Sequence, residues 1–373
     1  MTATLQSILD SGLDDYRQQH RLSAEQQRAC GHIRQCRTEA LGEVTDHCDQ
    51  CPHEQTHYLS CRDRHCPQCQ YQAIEQWQQR QSRQLIPVTY YHLVFTLPHE
   101  LNGWIQLHPD LLYGLLFKIT WQTLNTFAHD PRRLNGQAGM SAVLHTWAQN
   151  LTRHVHLHCL VPGGVVDDSG HFKAARGKHL FPVRALSRVF RGKFVSALRQ
   201  CYQQGQLHRV THTGEVDEVL NRLMAKDWVV YARNCMGQTQ TIVEYLSRYT
   251  RRIAISDQRI VSVTKDKVTF TVRDNQHDGQ KKLTSLSKSE FIRRFLQHVL
   301  PKGFMRVRHY GFLANAVREK RLQAIRKDIQ ADDTKGEAER EAVQPLSACR
   351  CPKCKIGHLI RTIRLPRPRL EGG

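Results

Sequence analysis

Three histidines at alternating positions are the residues of this chain best suited to chemistry. They lie in the run His154-Val155-His156-Leu157-His158. Because side chains alternate across a β-strand, a strand here places the three imidazoles on one face and the two aliphatic side chains on the other, toward a core. Imidazole nitrogens bind divalent metals, so the run predicts a metal site on a rigid element. A nucleophile must come from elsewhere in the chain.

Two tyrosines further along the chain are the candidate nucleophiles. Tyr245 and Tyr249 are four residues apart, so in a helix they share a face about one turn apart. A phenol with a pKa near 10 is a poor nucleophile at neutral pH, and a metal or a cationic neighbour has to activate the reaction. Positive charge is available from Arg248, Arg251 and Arg252. The alternative is that both tyrosines are packing residues beside a solvated basic face.

The cysteines predict structural zinc. Of the 13 cysteines, most fall in two short stretches with C-x-x-C spacing, which in a reducing compartment indicates metal binding. The pairs Cys48/Cys51 and Cys66/Cys69 predict one tetrahedral thiolate site closed by a hairpin. Ligands for a second ion would come from a nearby group: Cys30, His32, Cys36, Cys61 and His65. Which four would be used stays open, and the alternative is that the extra cysteines are small buried hydrophobic residues.

A further small zinc knuckle is predicted near the C-terminus. Its ligands would be Cys349, Cys351, Cys354 and His358, followed by the basic tail RTIRLPRPRL. The alternative is a disordered basic tail with chance cysteines. All these zinc sites are interpreted as structural, because a catalytic zinc keeps one coordination position open.

Charge indicates the class of partner. The chain of 373 residues has 54 Lys and Arg against 34 Asp and Glu, a net charge of +20, which favours a polyanion such as nucleic acid. No apolar stretch approaches the roughly 20 residues that span a bilayer. The N-terminal sequence MTATLQSILDSGLDDY lacks the pattern of a secretory signal, so we expect a cytoplasmic protein.

Hydrophobic periodicity predicts an α+β fold, in which an antiparallel sheet has flanking helices and is joined to an N-terminal zinc-binding module and the small C-terminal zinc knuckle. We expect domains at 1–85 (zinc binding and DNA recognition), 86–315 (the catalytic sheet) and 316–373 (helical linker and basic knuckle). Predicted helices lie in 11–40 and at 70–84, 111–127, 187–203, 240–248 and 287–300. Predicted strands lie at 89–98, 140–147, 154–161, 228–232, 253–256 and 261–272, and a linker lies at 334–341.

A histidine strand followed by a tyrosine-bearing helix resembles the HUH endonuclease superfamily, which cuts one DNA strand through a covalent 5′-phosphotyrosine. Within it, the chain resembles the two-tyrosine rolling-circle transposases of the insertion-sequence ninety-one type. The resembling segments are SCRDRHCPQCQ (60–70), YYHLVFTLPHEL (90–101), LHTWAQNLTRHVHLHCLVPGG (144–164), VEYLSRYTRRIAIS (243–256) and FLQHVLPKGFMRVRHYGFL (295–313).

The resemblance implies roles for specific residues. His156 and His158 match the two histidines of the superfamily motif and would hold Mg²⁺ or Mn²⁺, although the histidines alone would equally suit zinc. The third ligand would be His154 by its strand position, or Glu244 or Gln240 from the tyrosine helix. The two tyrosines above match the paired nucleophiles, and which one attacks first stays open.

The implied function is a rolling-circle transposase that nicks and rejoins single-stranded DNA at element ends and at a target. The alternatives are a zinc-dependent DNA-binding regulator without catalysis, and an HUH replication initiator or relaxase; the chain has no P-loop that would link it to a helicase. The run from Phe304 to Phe312, with Arg306 and Arg308, suits unpaired bases or is a core strand with a basic edge. The oligomeric state stays open, a homo-oligomer being one alternative.

Overall fold

The computed structural model describes residues 3–70, 85–175, 180–208, 210, 213–235, 253–274, 280–332 and 350–364. The predicted helix at 240–248, the predicted linker at 334–341 and all but the first residue of the predicted helix at 70–84 lie outside these ranges.

Contacts divide the described chain into two compact units. The first draws on Met1–Gln72, Ile255–Ile292 and Lys335–Gly373, and the second on Ala73–Ala254 and Arg293–Thr334. This grouping does not follow the chain order of the predicted domains 1–85, 86–315 and 316–373, whose boundaries stay a prediction.

The second unit is built on a five-stranded antiparallel sheet in the order β12-β4-β5-β3-β8. Its strands are β3 (Tyr90–Thr96), β4 (Gly139–Trp147), β5 (Arg153–Pro162), β8 (Val230–Cys235) and β12 (Val307–Gly311), with the small ribbon β6 (Gly164–Val166) and β7 (Phe172–Ala174) beside them. Its helices are α3 (Asn102–Leu107), α4 (Pro109–Ala128), α5 (Val183–Gln203), α6 (Thr213–Ala225) and α8 (Arg318–Asp332). The strands predicted at 89–98, 140–147 and 154–161 are therefore present.

Alternation along the strands gives the sheet one apolar face. Phe95 of β3 pairs with Leu157 of β5, and both are fully buried. The ring of Phe190 from α5 lies 5.0 Å from that of Phe95, and Trp228 lies 5.4 Å from Phe190. This helix-covered face holds the main hydrophobic core, and Val155 belongs to it as predicted. The residues between these positions point to the other face, where the histidines lie.

The first unit combines two capped helices with two small sheets. The helices α1 (Leu5–Gln19) and α2 (Ala24–Gln35) begin with capping boxes at Thr4 and Ser23. One sheet has the order β13-β1-β2, from β1 (Glu43–Cys48), β2 (Glu54–Tyr58) and β13 (Leu359–Arg364). The other has the order β11-β10-β9, from β9 (Ile260–Val263), β10 (Lys267–Asp274) and β11 (Gln280–Ser287), after which α7 (Lys288–Leu296) begins.

The predicted class is confirmed at the level of a mixed α+β fold with antiparallel sheets. The strand predicted at 253–256 is wrong, because the chain there is irregular and a 3-10 turn, Asp257–Arg259, precedes the first paired residue, Ile260. Within the described ranges, no helix is long and apolar enough to cross a membrane.

Candidate metal centres

Three histidines converge on the face of the central sheet opposite the main core. His156 and His158 are on β5, and His145 of β4 is the cross-strand partner of His156. One ring nitrogen from each can be chosen so that all lie within 4.8 Å of one another. The Nε2 atoms of His156 and His158 are 3.1 Å apart. The sheet itself, through strand pairing, brings the three imidazoles together.

His154 is not the third member of this cluster. Its side chain shares the histidine face but is exposed, and its ring centroid lies 4.9 Å from that of His156. The cluster takes its third imidazole from His145, which is 3% exposed. His145 is not among the predicted ligands, although the strands that carry it and the histidine run are both predicted. The signal was the short connection between them, which sets His145 opposite the histidine run.

Hydrogen bonds fix the ring orientations of the two histidines on β5. The Nδ1 of His156 lies 3.0 Å from the carbonyl oxygen of His154, so this nitrogen carries the proton and donates. The Nδ1 of His158 lies 2.8 Å from the Nε2 of His92, a residue of β3 that is 4% exposed. The proton on Nδ1 leaves the Nε2 of His156 as an acceptor that faces the Nε2 of His158. A hydrogen bond from Nδ1 to a neighbouring group is the arrangement usual for metal-binding histidines.

Burial keeps His156 and the adjacent His92 in their neutral forms. Burial lowers the pKa of His156 to about 4, and the neighbouring His154 adds to the effect. Burial, with a contribution from Arg233, also lowers the pKa of His92 to about 4. Neutral imidazoles are the form that binds metal. The donor set therefore fits a divalent ion, and three imidazole nitrogens suit Mn²⁺ better than Mg²⁺, which prefers oxygen.

The predicted nucleophiles and several associated residues lie outside the described part of the chain. They are Tyr245 and Tyr249, the alternative ligands Gln240 and Glu244, and the arginines Arg248, Arg251 and Arg252. Their roles stay predictions.

The run at 304–312 contains β12, a half-buried strand at one end of the five-stranded sheet, and both of its phenylalanines are buried. Phe304 and Phe312 are 7% and 0% exposed, so neither is available to stack on a base. Arg308 lies over Phe304, its guanidinium carbon 5.0 Å from the ring centroid. Arg306 lies 5.8 Å from the ring centroid of Trp147, which in turn stacks on His145 with centroids 4.7 Å apart. Arg306 is thus the arginine of this run nearer to the histidine cluster.

A first cysteine cluster lies in the first unit. Cys36, Cys61, Cys66 and Cys69 have sulfurs within 4.8 Å of one another. Cys36 caps the end of α2, and the backbone nitrogen of Arg62 donates to the sulfur of Cys69 at 3.2 Å. Four converging thiols meet the requirements of a closed tetrahedral site.

A second cysteine cluster joins residues from opposite ends of the chain. Cys48 and Cys51, at the end of the β1–β2 hairpin, meet Cys351 and Cys354. The predicted pairing of Cys48/Cys51 with Cys66/Cys69 is therefore wrong, and so is the predicted separate C-terminal knuckle. Long-range strand pairing, which C-x-x-C spacing does not encode, selects the partners.

The remaining predicted zinc ligands have other environments. Cys30 is 1% exposed and burial raises its pKa to about 12, which fits the alternative of a small buried hydrophobic residue. His32 binds Asp63 through its Nδ1 atom at 3.0 Å, and the backbone nitrogen of His65 donates to the same carboxylate at 2.8 Å. His358 is exposed and contributes no ligand to the second cluster. Cys349 lies outside the described residues.

Comparison with known proteins identifies the family. A family model described as "Transposase zinc-binding domain" matches residues 8–97, and one described as "Putative transposase" matches residues 139–321. The chain is 40% identical over 363 residues to "Putative transposase y4qJ" of Sinorhizobium fredii (strain NBRC 101917 / NGR234), covering 92% of this chain and 91% of that protein. It is 27% identical over 298 residues to "Transposase for insertion sequence element IS801" of Pseudomonas savastanoi pv. phaseolicola, covering 76% and 68%. No solved structure matches.

These matches agree with the geometry. The zinc-binding match contains the whole first cysteine cluster and half of the second, which supports structural Zn²⁺, and the transposase match contains His145, His156 and His158. With a relative 40% identical over nearly the full length of both proteins, the chain belongs to the family of IS91-type transposases.

Proposed function

We propose that this transposase nicks and rejoins single-stranded DNA at the ends of its element, and at a target, through a covalent 5′-phosphotyrosine intermediate. The observation that carries the proposal is the convergence of ring nitrogens from His145, His156 and His158, with His156 neutral, in a chain whose family moves DNA segments. A regulator that only binds DNA has no need of such a cluster.

The histidine cluster would hold Mn²⁺ or Mg²⁺. A divalent ion bound there would polarise the scissile phosphate and orient it for attack. The rigid strands β4 and β5 keep the ligands in place, because each backbone is fixed by pairing on both sides. Arg306 lies over the ring of Trp147, which stacks on His145. Its guanidinium places a positive charge near the histidine cluster, where it can contact the DNA backbone.

Tyr245 and Tyr249 are the proposed nucleophiles. The phenolic oxygen of one bonds to the phosphorus, the bond to the 3′ oxygen breaks, and the upstream strand leaves with a free 3′-OH. The downstream strand stays on the tyrosine through its 5′ phosphate. The phosphotyrosine bond is a phosphodiester like the DNA bond that it replaces. Attack by another 3′-OH can therefore reverse the step and join two strands without ATP. Two tyrosines would allow one to hold the donor end while the other cuts the target.

The two cysteine clusters are proposed to stabilise a DNA-recognition unit. Both are four-thiol sites with no open position, so they fit folding roles. The net charge of +20 supplies the attraction to phosphate that non-specific DNA binding requires.

The test uses single-stranded oligonucleotides that carry the element ends, labelled at either the 3′ or the 5′ terminus. With Mn²⁺ present, we expect the 3′ label to remain on the denatured protein and the 5′ label to be released on a shorter strand. Changing both Tyr245 and Tyr249 to Phe should abolish the adduct, whereas Tyr58→Phe, at a tyrosine that is 50% exposed in the first unit, should keep it.

Three outcomes would refute the proposal: binding of the ends without any adduct, retention of the 5′ label instead, or an adduct that survives the double change. The first of these is the result expected of a DNA-binding regulator. Addition of a second oligonucleotide with a free 3′-OH then tests rejoining, which should transfer the 3′ label from the protein to a longer strand.

A further inference from the structure

The second cysteine cluster connects parts of the chain that no family match joins. Cys51 and Cys351 are 300 residues apart in sequence, yet their sulfurs are 3.7 Å apart, as are those of Cys48 and Cys354. The zinc-binding match ends at residue 97 and the transposase match at residue 321, so the C-terminal pair belongs to neither. We propose that one zinc ion bound by Cys48, Cys51, Cys351 and Cys354 fastens the C-terminal segment 350–364 to the N-terminal hairpin, so that this segment is an integral part of the zinc-binding unit.

The sulfur arrangement fits a metal better than disulfides. A disulfide needs a sulfur separation of about 2.05 Å, and both cross-pair distances are much longer. Backbone amides also donate to these thiols. The nitrogen of Gln50 lies 3.4 Å from the sulfur of Cys48, and that of Gly357 lies 3.3 Å from the sulfur of Cys354. Each half of the site thus brings its own donor to stabilise thiolate charge, as zinc binding requires.

A glycine allows the two halves to approach. A Cβ atom at Gly357 would lie 2.5 Å from the Oδ1 of Asp49 and 2.6 Å from the sulfur of Cys48. Both distances are shorter than van der Waals contact. The same Asp49 carboxylate accepts the backbone N–H of His358 at 2.8 Å. The loop that carries Cys351, Cys354 and Gly357 therefore lies against the tip of the hairpin.

The strand that follows this loop, β13, also contacts the N-terminal hairpin. β13 pairs with the full length of β1, from Glu43↔Arg364 to Cys48↔Leu359. Arg361 donates to both carboxylate oxygens of Asp46, at 2.7 Å and 3.0 Å, and Asp46 is 6% exposed. A buried carboxylate that accepts two hydrogen bonds from one guanidinium indicates a specific contact rather than a chance one.

Apolar burial does not explain why this segment stays in place. Ile360 and Ile363 are 49% and 58% exposed, so β13 contributes little hydrophobic surface to a core. Bringing together groups 300 residues apart in sequence also carries a closure entropy cost. Metal coordination can offset that cost, since binding to a site absent from the unfolded chain acts as folding free energy.

The test is residue-resolved alkylation of the full-length protein under reducing conditions, followed by mass spectrometry. In the zinc-loaded protein, we expect Cys48, Cys51, Cys351 and Cys354 to be protected. As a chelator is titrated in, all four should become labelled together, with one shared midpoint. If Cys351 and Cys354 are labelled at once while Cys48 and Cys51 stay protected, the proposal fails.

Variants give an independent readout. Changing Cys351 and Cys354 together to Ser should reduce the zinc content by one ion per chain, while Cys201→Ser, at a buried thiol outside both clusters, should leave it unchanged. In the same double variant, hydrogen exchange at the amides of 359–364 should accelerate at least tenfold. Unchanged zinc content, or unchanged protection of β13, would overturn the proposal. Because the alkylation experiment uses the unmodified chain, it decides the matter even if the double variant does not fold.

Discussion

The Nε2 atom of His92 lies 2.8 Å from the Nδ1 atom of His158, so a buried histidine on β3 is hydrogen-bonded to a member of the histidine cluster on β5. The two rings are nearly parallel, with centroids 5.1 Å apart. If His158 binds metal through Nε2, its Nδ1 carries the proton and donates a hydrogen bond to the Nε2 of His92. His92 then fixes the orientation and the tautomer of a ligand without touching the metal.

This bond predicts an effect of His92 on metal affinity. Changing His92 to Ala should weaken Mn²⁺ binding about 10–100-fold, the usual cost of losing a group that orients a metal-binding histidine. Gln at the same position, whose side-chain oxygen can accept the hydrogen bond from Nδ1, should restore part of the affinity. Isothermal titration calorimetry with Mn²⁺ measures both. His309→Gln, at a histidine bonded to Ser141 rather than to the cluster, is the matched control and should bind normally. An unchanged affinity in His92→Ala would contradict the assigned role.

The identity of the third ligand gives a second prediction. His145→Ala should lower Mn²⁺ affinity by more than the ~100-fold upper range expected of an orienting group, because a coordinating nitrogen is lost. It should also abolish the covalent DNA adduct. His154→Ala should change both by less than about threefold, since His154 is exposed and outside the cluster. The opposite ranking of these two variants would return His154 to the role first expected from its strand position.

The pH dependence of stability provides a third prediction. Burial, with a contribution from Arg318, lowers the pKa of His309 to about 4, from an ordinary 6.5. Between pH 6.5 and about 4 the unfolded chain holds a proton at this histidine that the folded protein does not, so stability should fall as pH is lowered through this window. Above pH 6.5 this contribution is constant. His309→Gln should show a shallower decrease in urea midpoint over the same range, and an equal slope would contradict the prediction.

Two glycines with left-handed backbone allow a matched test of packing. Gly311, at the end of β12, has φ of 60°, and a Cβ there would lie 1.8 Å from the carbonyl oxygen of Ala138. Gly303 has φ of 74° with nothing within 4 Å of such an atom. Gly303→Ala should lower the free energy of unfolding by about 1–2 kcal/mol, because only the strain of the left-handed conformation is added. Gly311→Ala should lower it by more than twice as much, because the backbone at Ala138 must also move. Urea unfolding measures both, and equal losses would show that the contact with Ala138 relaxes freely.

Local patterns determined the elements and the chemical types of the sites. The alternation in His154–His158 predicted a strand with imidazoles on one face and Val155 and Leu157 in the core, and the structure has that arrangement. The C-x-x-C spacings predicted zinc, which the family match and the clusters support. These features depend on the periodicity of a strand and on the spacing of two thiols with two residues between them, and both are properties of a short stretch of sequence.

Tertiary structure decided which residues meet. His145 joins His156 and His158 because the pairing of β4 with β5 sets it opposite His156. Cys48 and Cys51 meet Cys351 and Cys354 because β13 pairs with β1 across the length of the chain. The spacing within one motif cannot encode such choices, since a thiol or an imidazole can share a metal ion with ligands from any segment of the chain. Strand pairing selects the ligand sets, between consecutive strands for β4 and β5 and between opposite ends of the chain for β1 and β13.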